Sequence, residues 1–125
     1  MKKIISTDKA PAAIGPYSQA IESNGTLYVS GQIPIDPALG KIVEGDIVDQ
    51  AEQVFKNITA ILDEAGYTFN DVVKTTVFIA DMSLFPQLNE VYKKYYTQDC
   101  PARSTIAVKG LPLGALVEIE TIAVK

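Results

Sequence analysis

The chain has 125 residues, 47% of them hydrophobic and 21% charged, a length that suits one domain over residues 1–125 with a core of its own. Fifteen acidic against eleven basic residues give a net charge of -4 with no basic run, which argues against a nucleic-acid backbone or an anionic membrane as partner. One cysteine excludes an intrachain disulfide, and the lack of histidine excludes Ser-His and Cys-His nucleophile pairs, histidine metal sites and an imidazole base.

The N-terminal stretch, MKKIISTDKAPAA, lacks the apolar core of a signal peptide, and no run approaches the ~20 apolar residues of a membrane span. A soluble cytoplasmic protein is therefore expected. Tyr17–Ser23 and Thr26–Gly31 flank Asn24-Gly25, a pair that accepts the positive φ of a tight turn, and predict a hairpin. Pro34 and Pro37 then interrupt regular pairing, and Lys41–Val43 reads as a short extended piece. Over Asp46–Ala65, Ile47, Ala51, Val54, Phe55, Ile58, Ile61, Leu62 and Ala65 recur at three- and four-residue steps. This spacing predicts a helix with Asp46 at its start and Gly66 at its stop. Val72–Ile79 reads as a buried strand, Ser83–Tyr96 as a second helix with Pro86 in its first turn, and Arg103–Val108 and Leu116–Val124 as two further strands.

Two helices linking strands, with hairpins at the ends, suggest an α+β sheet with both helices on one face. Val72–Ile79 and Leu116–Val124 carry apolar residues at both parities, and the chain has no spare element for the second face. A homo-oligomer in which sheets pack on one another is expected.

Glu118 and Glu120 share a strand face with Leu116, Ile122 and Val124. On a buried face a carboxylate is costly unless paired or hydrated. The pair is read either as a solvent-facing edge or as a source of a proton acceptor at a cleft. Arg103 is read either as an anion receptor, since a guanidinium offers two parallel donors to a carboxylate, or as the ion-pair partner of Glu118 or Glu120 on a neighbouring strand. Cys100 has no histidine to activate it and reads as a spectator. Gly110–Gly114 lacks the lysine of a phosphate loop, and no acidic cluster stands out as a metal site.

Pro101-Ala102-Arg103-Ser104, the Leu-Pro loop and Val117-Glu118-Ile119-Glu120 resemble the signature of the RidA (YjgF/YER057c/UK114) family. Ala13–Ala20, Val29–Pro34 and Asn89-Glu90-Val91-Tyr92 fit the same pattern, so the resemblance spans essentially the whole chain. It implies a chorismate-mutase-like single mixed sheet with two helices on one face, packed as a homotrimer with sites at subunit interfaces. It further implies a cofactor-free deaminase that hydrolyses 2-enamino and 2-imino acids, released by PLP-dependent dehydratases, to 2-keto acids and ammonia. Carried over by motif, Arg103 would hold the substrate carboxylate and Glu118 would orient the attacking water. Tyr17, Ser30, Gly31 and Asn89 would line the pocket, with the backbone of Thr105 near the imine nitrogen. The family often has cysteine where this chain has Thr105. The alternative is a trimer that binds 2-keto acids without turnover. An endoribonuclease role fits an acidic, histidine-free chain less well.

Overall fold

The computed structural model describes all 125 residues. Eight strands are present: β1 (Lys3–Ile5), β2 (Ala20–Ser23), β3 (Thr26–Gln32), β4 (Ile35–Asp36), β5 (Lys41–Ile42), β6 (Val72–Ile79), β7 (Ala102–Ala107) and β8 (Val117–Val124). Two helices, α1 (Ile47–Ala65) and α2 (Phe85–Tyr95), stand in the links from β5 to β6 and from β6 to β7. Six strands make one mixed sheet in the order β1-β2-β3-β8-β6-β7, and β4 pairs with β5 alone. All pairs are antiparallel except β6 with β7, whose parallel run requires the crossover that α2 provides.

Local chemistry accounts for the best-formed elements. Asp46 caps α1, its carboxylate accepting from Val48 N at 3.0 Å and Asp49 N at 3.2 Å, while Asp49 accepts from Asp46 N at 3.1 Å. Gly66 closes the helix in the left-handed region at φ 80°. Asn24 (φ 51°) and Gly25 (φ 76°) form the predicted tight turn, and the strands it joins start at Ala20 and end at Gln32.

Two expectations are corrected. The last two strands do not form a hairpin: β8 inserts between β3 and β6, and β7 is left at the edge. Burial explains the choice, because alternate residues of β8 (Val117, Ile119, Thr121, Ala123) are fully covered, whereas most of β7 is exposed. The strand with more apolar surface takes the centre. Glu118 and Glu120 accordingly sit on a central strand, not on a sheet edge.

The core lies between the helices and one face of the sheet. Leu27, Val29, Val77, Ile79, Val117 and Ile119 meet Ala51, Val54, Phe55, Ile58 and Leu62 of α1 and Leu88, Val91 and Tyr92 of α2. Each buried aliphatic or aromatic side chain of this set contributes about 1.5–3 kcal/mol. Both helices cover that face, as expected. The opposite face presents Ile4, Tyr28, Ile106 and Val124 with 44–62% of their surface exposed, and no element of the chain lies over it. No helix is long and apolar enough to cross a membrane.

Candidate active site

The uncovered face carries a cavity of about 670 Å³. Its walls are the N-terminal segment with Ile14 and Tyr17, the end of β3 with Ser30 and Gly31, the Pro112-Leu113 turn, and Glu118 and Glu120 of β8. A more open hollow of about 490 Å³ on the other side of Tyr17 and Ser30 has no carboxylate in its lining. A bulge shapes the first cavity. Val29 pairs with Thr121 but Gln32 pairs with Ile119, so three steps on β3 match two on β8 and one residue is extra. The surplus falls at Ser30-Gly31, next to Glu118.

Gly31 matters for what it lacks. A Cβ there would lie 2.8 Å from Glu118 Cδ and 3.1 Å from its Cγ, so only glycine lets the Glu118 side chain lie flat across the β3–β8 junction. Glu118 is half-buried in this position, and burial pushes its carboxyl above the ordinary range, with the like charge of Glu120 adding to the rise. Ser30 lines the cavity and also ties its wall together. Its Oγ donates to the Ser18 carbonyl at 2.6 Å and its N–H to the Gln19 carbonyl at 2.9 Å, tying β3 to the segment that carries Tyr17. Tyr17 itself stands half-exposed at the cavity mouth.

Gln19 was not foreseen. It is 3% exposed, and its amide nitrogen donates to the carbonyls of Thr7, Ala10 and Pro11 at 2.9, 3.3 and 2.8 Å. Its amide oxygen accepts from Thr7 N at 2.7 Å. This single side chain folds the N-terminal segment back to make a cavity wall. Gln50 acts similarly on the far side, accepting from Leu116 N at 2.8 Å at the entrance to β8. Nothing in the local pattern marks these amides, apart from Gln19 following Tyr17-Ser18.

The remaining candidates lie elsewhere. Arg103 pairs in register with Thr75, and Thr75 with Thr121; both threonines are buried, which puts Arg103 on the helix-covered side at the β7 edge. Glu118 pairs with Phe78, on the opposite side. Arg103 Nη1 donates to Asn89 Oδ1 of α2 at 2.8 Å, and partly buried Thr105 follows two positions along the same edge. Arg103 makes no ion pair. The salt bridges of the chain are Lys93–Glu90 and Lys94–Glu52, and β6 separates Arg103 from both Glu118 and Glu120. The structural ion pair considered for Arg103 is thereby corrected. The structure brings Tyr17, Ser30, Gly31 and Glu118 together and sets Asn89, Arg103 and Thr105 apart as a second group.

Comparison with known proteins identifies the family. The family model described as Endoribonuclease L-PSP matches residues 7–125. The chain belongs to the endoribonuclease L-PSP family. A mouse member named 2-iminobutanoate/2-iminopropanoate deaminase is 53% identical over 125 residues, 100% of this chain and 93% of that protein. A RutC family protein of Pyrococcus horikoshii is 54% identical over 100% of this chain and 99% of its own length. Among solved structures of the L-PSP family, a Thermotoga maritima protein described as a putative endoribonuclease superposes with a TM-score of 0.98 at 51% identity, covering 100% of this chain and 98% of that one. Escherichia coli TdcF with bound serine superposes with a TM-score of 0.93 at 43% identity over 98% of both chains. The RidA resemblance read from the motifs is this same family.

Proposed function

We propose that the protein hydrolyses small 2-imino acids to 2-keto acids and ammonia at a site built from two copies of the chain. The observation that carries this reading is Glu118, a half-buried carboxylate with a raised pKa, laid over Gly31 in a cavity that its own chain leaves open. One copy supplies Tyr17, Ser30, Gly31 and Glu118. A neighbour in a homotrimer supplies Asn89, Arg103 and the backbone of Thr105. The mammalian relatives named as imino-acid deaminases and the serine held by TdcF, a small amino acid with a carboxylate, support it.

The chemistry needs no histidine. A protonated 2-imino acid is already electrophilic at C2, so the protein must supply position and a proton acceptor. A two-pronged contact from Arg103 to the substrate carboxylate contributes about 1.5–3 kcal/mol and fixes which face of C2 meets water. Glu118 accepts the water's proton as the C–O bond forms and returns it to nitrogen. It then takes the hydroxyl proton as C=O forms, the C–N bond breaks and ammonia leaves, and that proton passes to solvent to restore the carboxylate. A raised pKa suits this double role, since a carboxylate nearer neutrality is a stronger base when water attacks and keeps the proton long enough to deliver it to nitrogen. Clearance of such imines would spare PLP-dependent enzymes from them. The ribonuclease in the family's name finds little support in a chain of net charge -4 without histidine.

The test couples a threonine dehydratase to the protein and follows keto acid and ammonia. Wild type is expected to speed release of both, and Arg103→Ala to abolish the effect while the assembly keeps its mass. Binding of 2-oxobutanoate with no acceleration of ammonia release sinks the hydrolase reading.

A further inference from the structure

Arg103 is held in an unusual way for a lone cation. Its guanidinium carbon lies 4.6 Å from the centroid of the Tyr92 ring and 5.1 Å from that of Phe85. One of its donors is used by Asn89 and no carboxylate approaches it. Tyr92 is firmly fixed. It is 5% exposed, its hydroxyl lies 2.8 Å from Thr75 Oγ1, and the rings of Phe55 and Tyr96 stand against it at 5.9 and 4.7 Å. Thr75 is also the register partner of Arg103 on the adjoining strand, so the arginine and the tyrosine that supports it are tied to one point of the sheet.

An aromatic face attracts a cation through its quadrupole without consuming hydrogen-bond donors, whereas a carboxylate partner would occupy the donor fork. An aliphatic residue at position 92 would fill the same space but offer no negative face. We propose that Tyr92, anchored by Thr75, is a positioning residue that holds the Arg103 guanidinium in place with its charge unneutralised, ready for a substrate carboxylate. The inference rests on the reading of Arg103 as that receptor. It adds a residue that touches no substrate and acts through the arginine.

The test uses the full assembled protein with position 92 replaced by Phe, 4-fluoro-Phe, 3,5-difluoro-Phe and 3,4,5-trifluoro-Phe, rings of nearly constant shape and falling electron density. The probe is 2-oxobutanoate, measured by calorimetry. Its Kd is expected to rise stepwise, by about fivefold across the set, with mass unchanged and melting temperature constant from one member to the next, since all of them lack the hydroxyl bonded to Thr75. In the imine assay KM should follow Kd while kcat stays level. A residue that merely packs would move melting temperature and leave Kd flat, and a flat series in a protein that binds 2-oxobutanoate overturns the inference alone. Wild-type protein that does not bind it overturns the receptor reading and this inference together. A graded series in a protein that releases no ammonia keeps the inference and removes only the hydrolase.

Discussion

A methyl group at position 31 would have to displace the Glu118 side chain, because the atoms it meets all belong to that residue and none to the backbone. Gly31→Ala should therefore fold, since the obstacle is a movable side chain, yet lose about 100-fold in kcat, the scale on which a misplacement of about 1 Å is felt. Urea denaturation alongside imine clearance checks both halves; an active Gly31→Ala protein would show that Glu118 need not lie where it does. Glu118 also makes a thermodynamic prediction. Its folded pKa is raised, so its ionised form opposes folding, and stability falls as pH climbs through the folded value. Glu118→Gln should melt higher than wild type near neutral pH, with the gain vanishing in acid, where the wild-type carboxyl is protonated in folded and unfolded chains alike. For the same reason, the acid limb of the wild-type rate profile should lie above the ordinary carboxylate range. Melting curves at several pH values would show the opposite slope if a neighbouring copy's Arg103 paired with Glu118 in the absence of substrate.

At the scale of elements, sequence patterns carried as far as local physics reaches. The stripe of α1, its Asp46 cap and Gly66 stop are all near-neighbour effects, and the helix begins and ends where they say. The β1 strand was missed because its three residues are too few for a period, and its pairing with β2 depends on the chain being folded back by Gln19. The place of β8 was missed because strand order is settled by competition for the buried centre, which no local window records. The candidate residues were found through motifs, but their division into two groups was invisible, since it follows from the β3 bulge and from β6 lying between β7 and β8. Gln19 gives this scale its test. Replacing it with leucine strands the buried carbonyl of Ala10, at about 1–3 kcal/mol, and leaves the partly buried backbone groups of Thr7 without their partner. Gln19→Leu should lose stability and expose the amides before Ala20 to rapid hydrogen exchange while α1 stays protected. Uniform exchange throughout would mean that the segment is no separate unit.

For the whole molecule, the two groups of site residues and the bare sheet face are one problem. Glu118 lies on the open side and Arg103 on the helix side of the same sheet, so within one chain they do not share a cavity. The face that bears Tyr28, Ile106 and Val124 is also the apolar surface left without a cover. Packing copies through it answers both needs. Charging its centre, as in Ile122→Asp, should yield monomers by light scattering and abolish turnover without disturbing the helical core. A sharper experiment mixes two inactive variants. Arg103→Ala retains Glu118, and Glu118→Gln retains Arg103. If each site takes its carboxylate from one copy and its guanidinium from the next, co-refolding equal amounts restores a working site wherever the first variant donates the carboxylate and the second the guanidinium. With random assembly that is one half times one half, about a quarter of wild-type activity. If instead both groups serve from the same chain, every site in the mixture lacks one of them and the activity stays at the level of the separate variants.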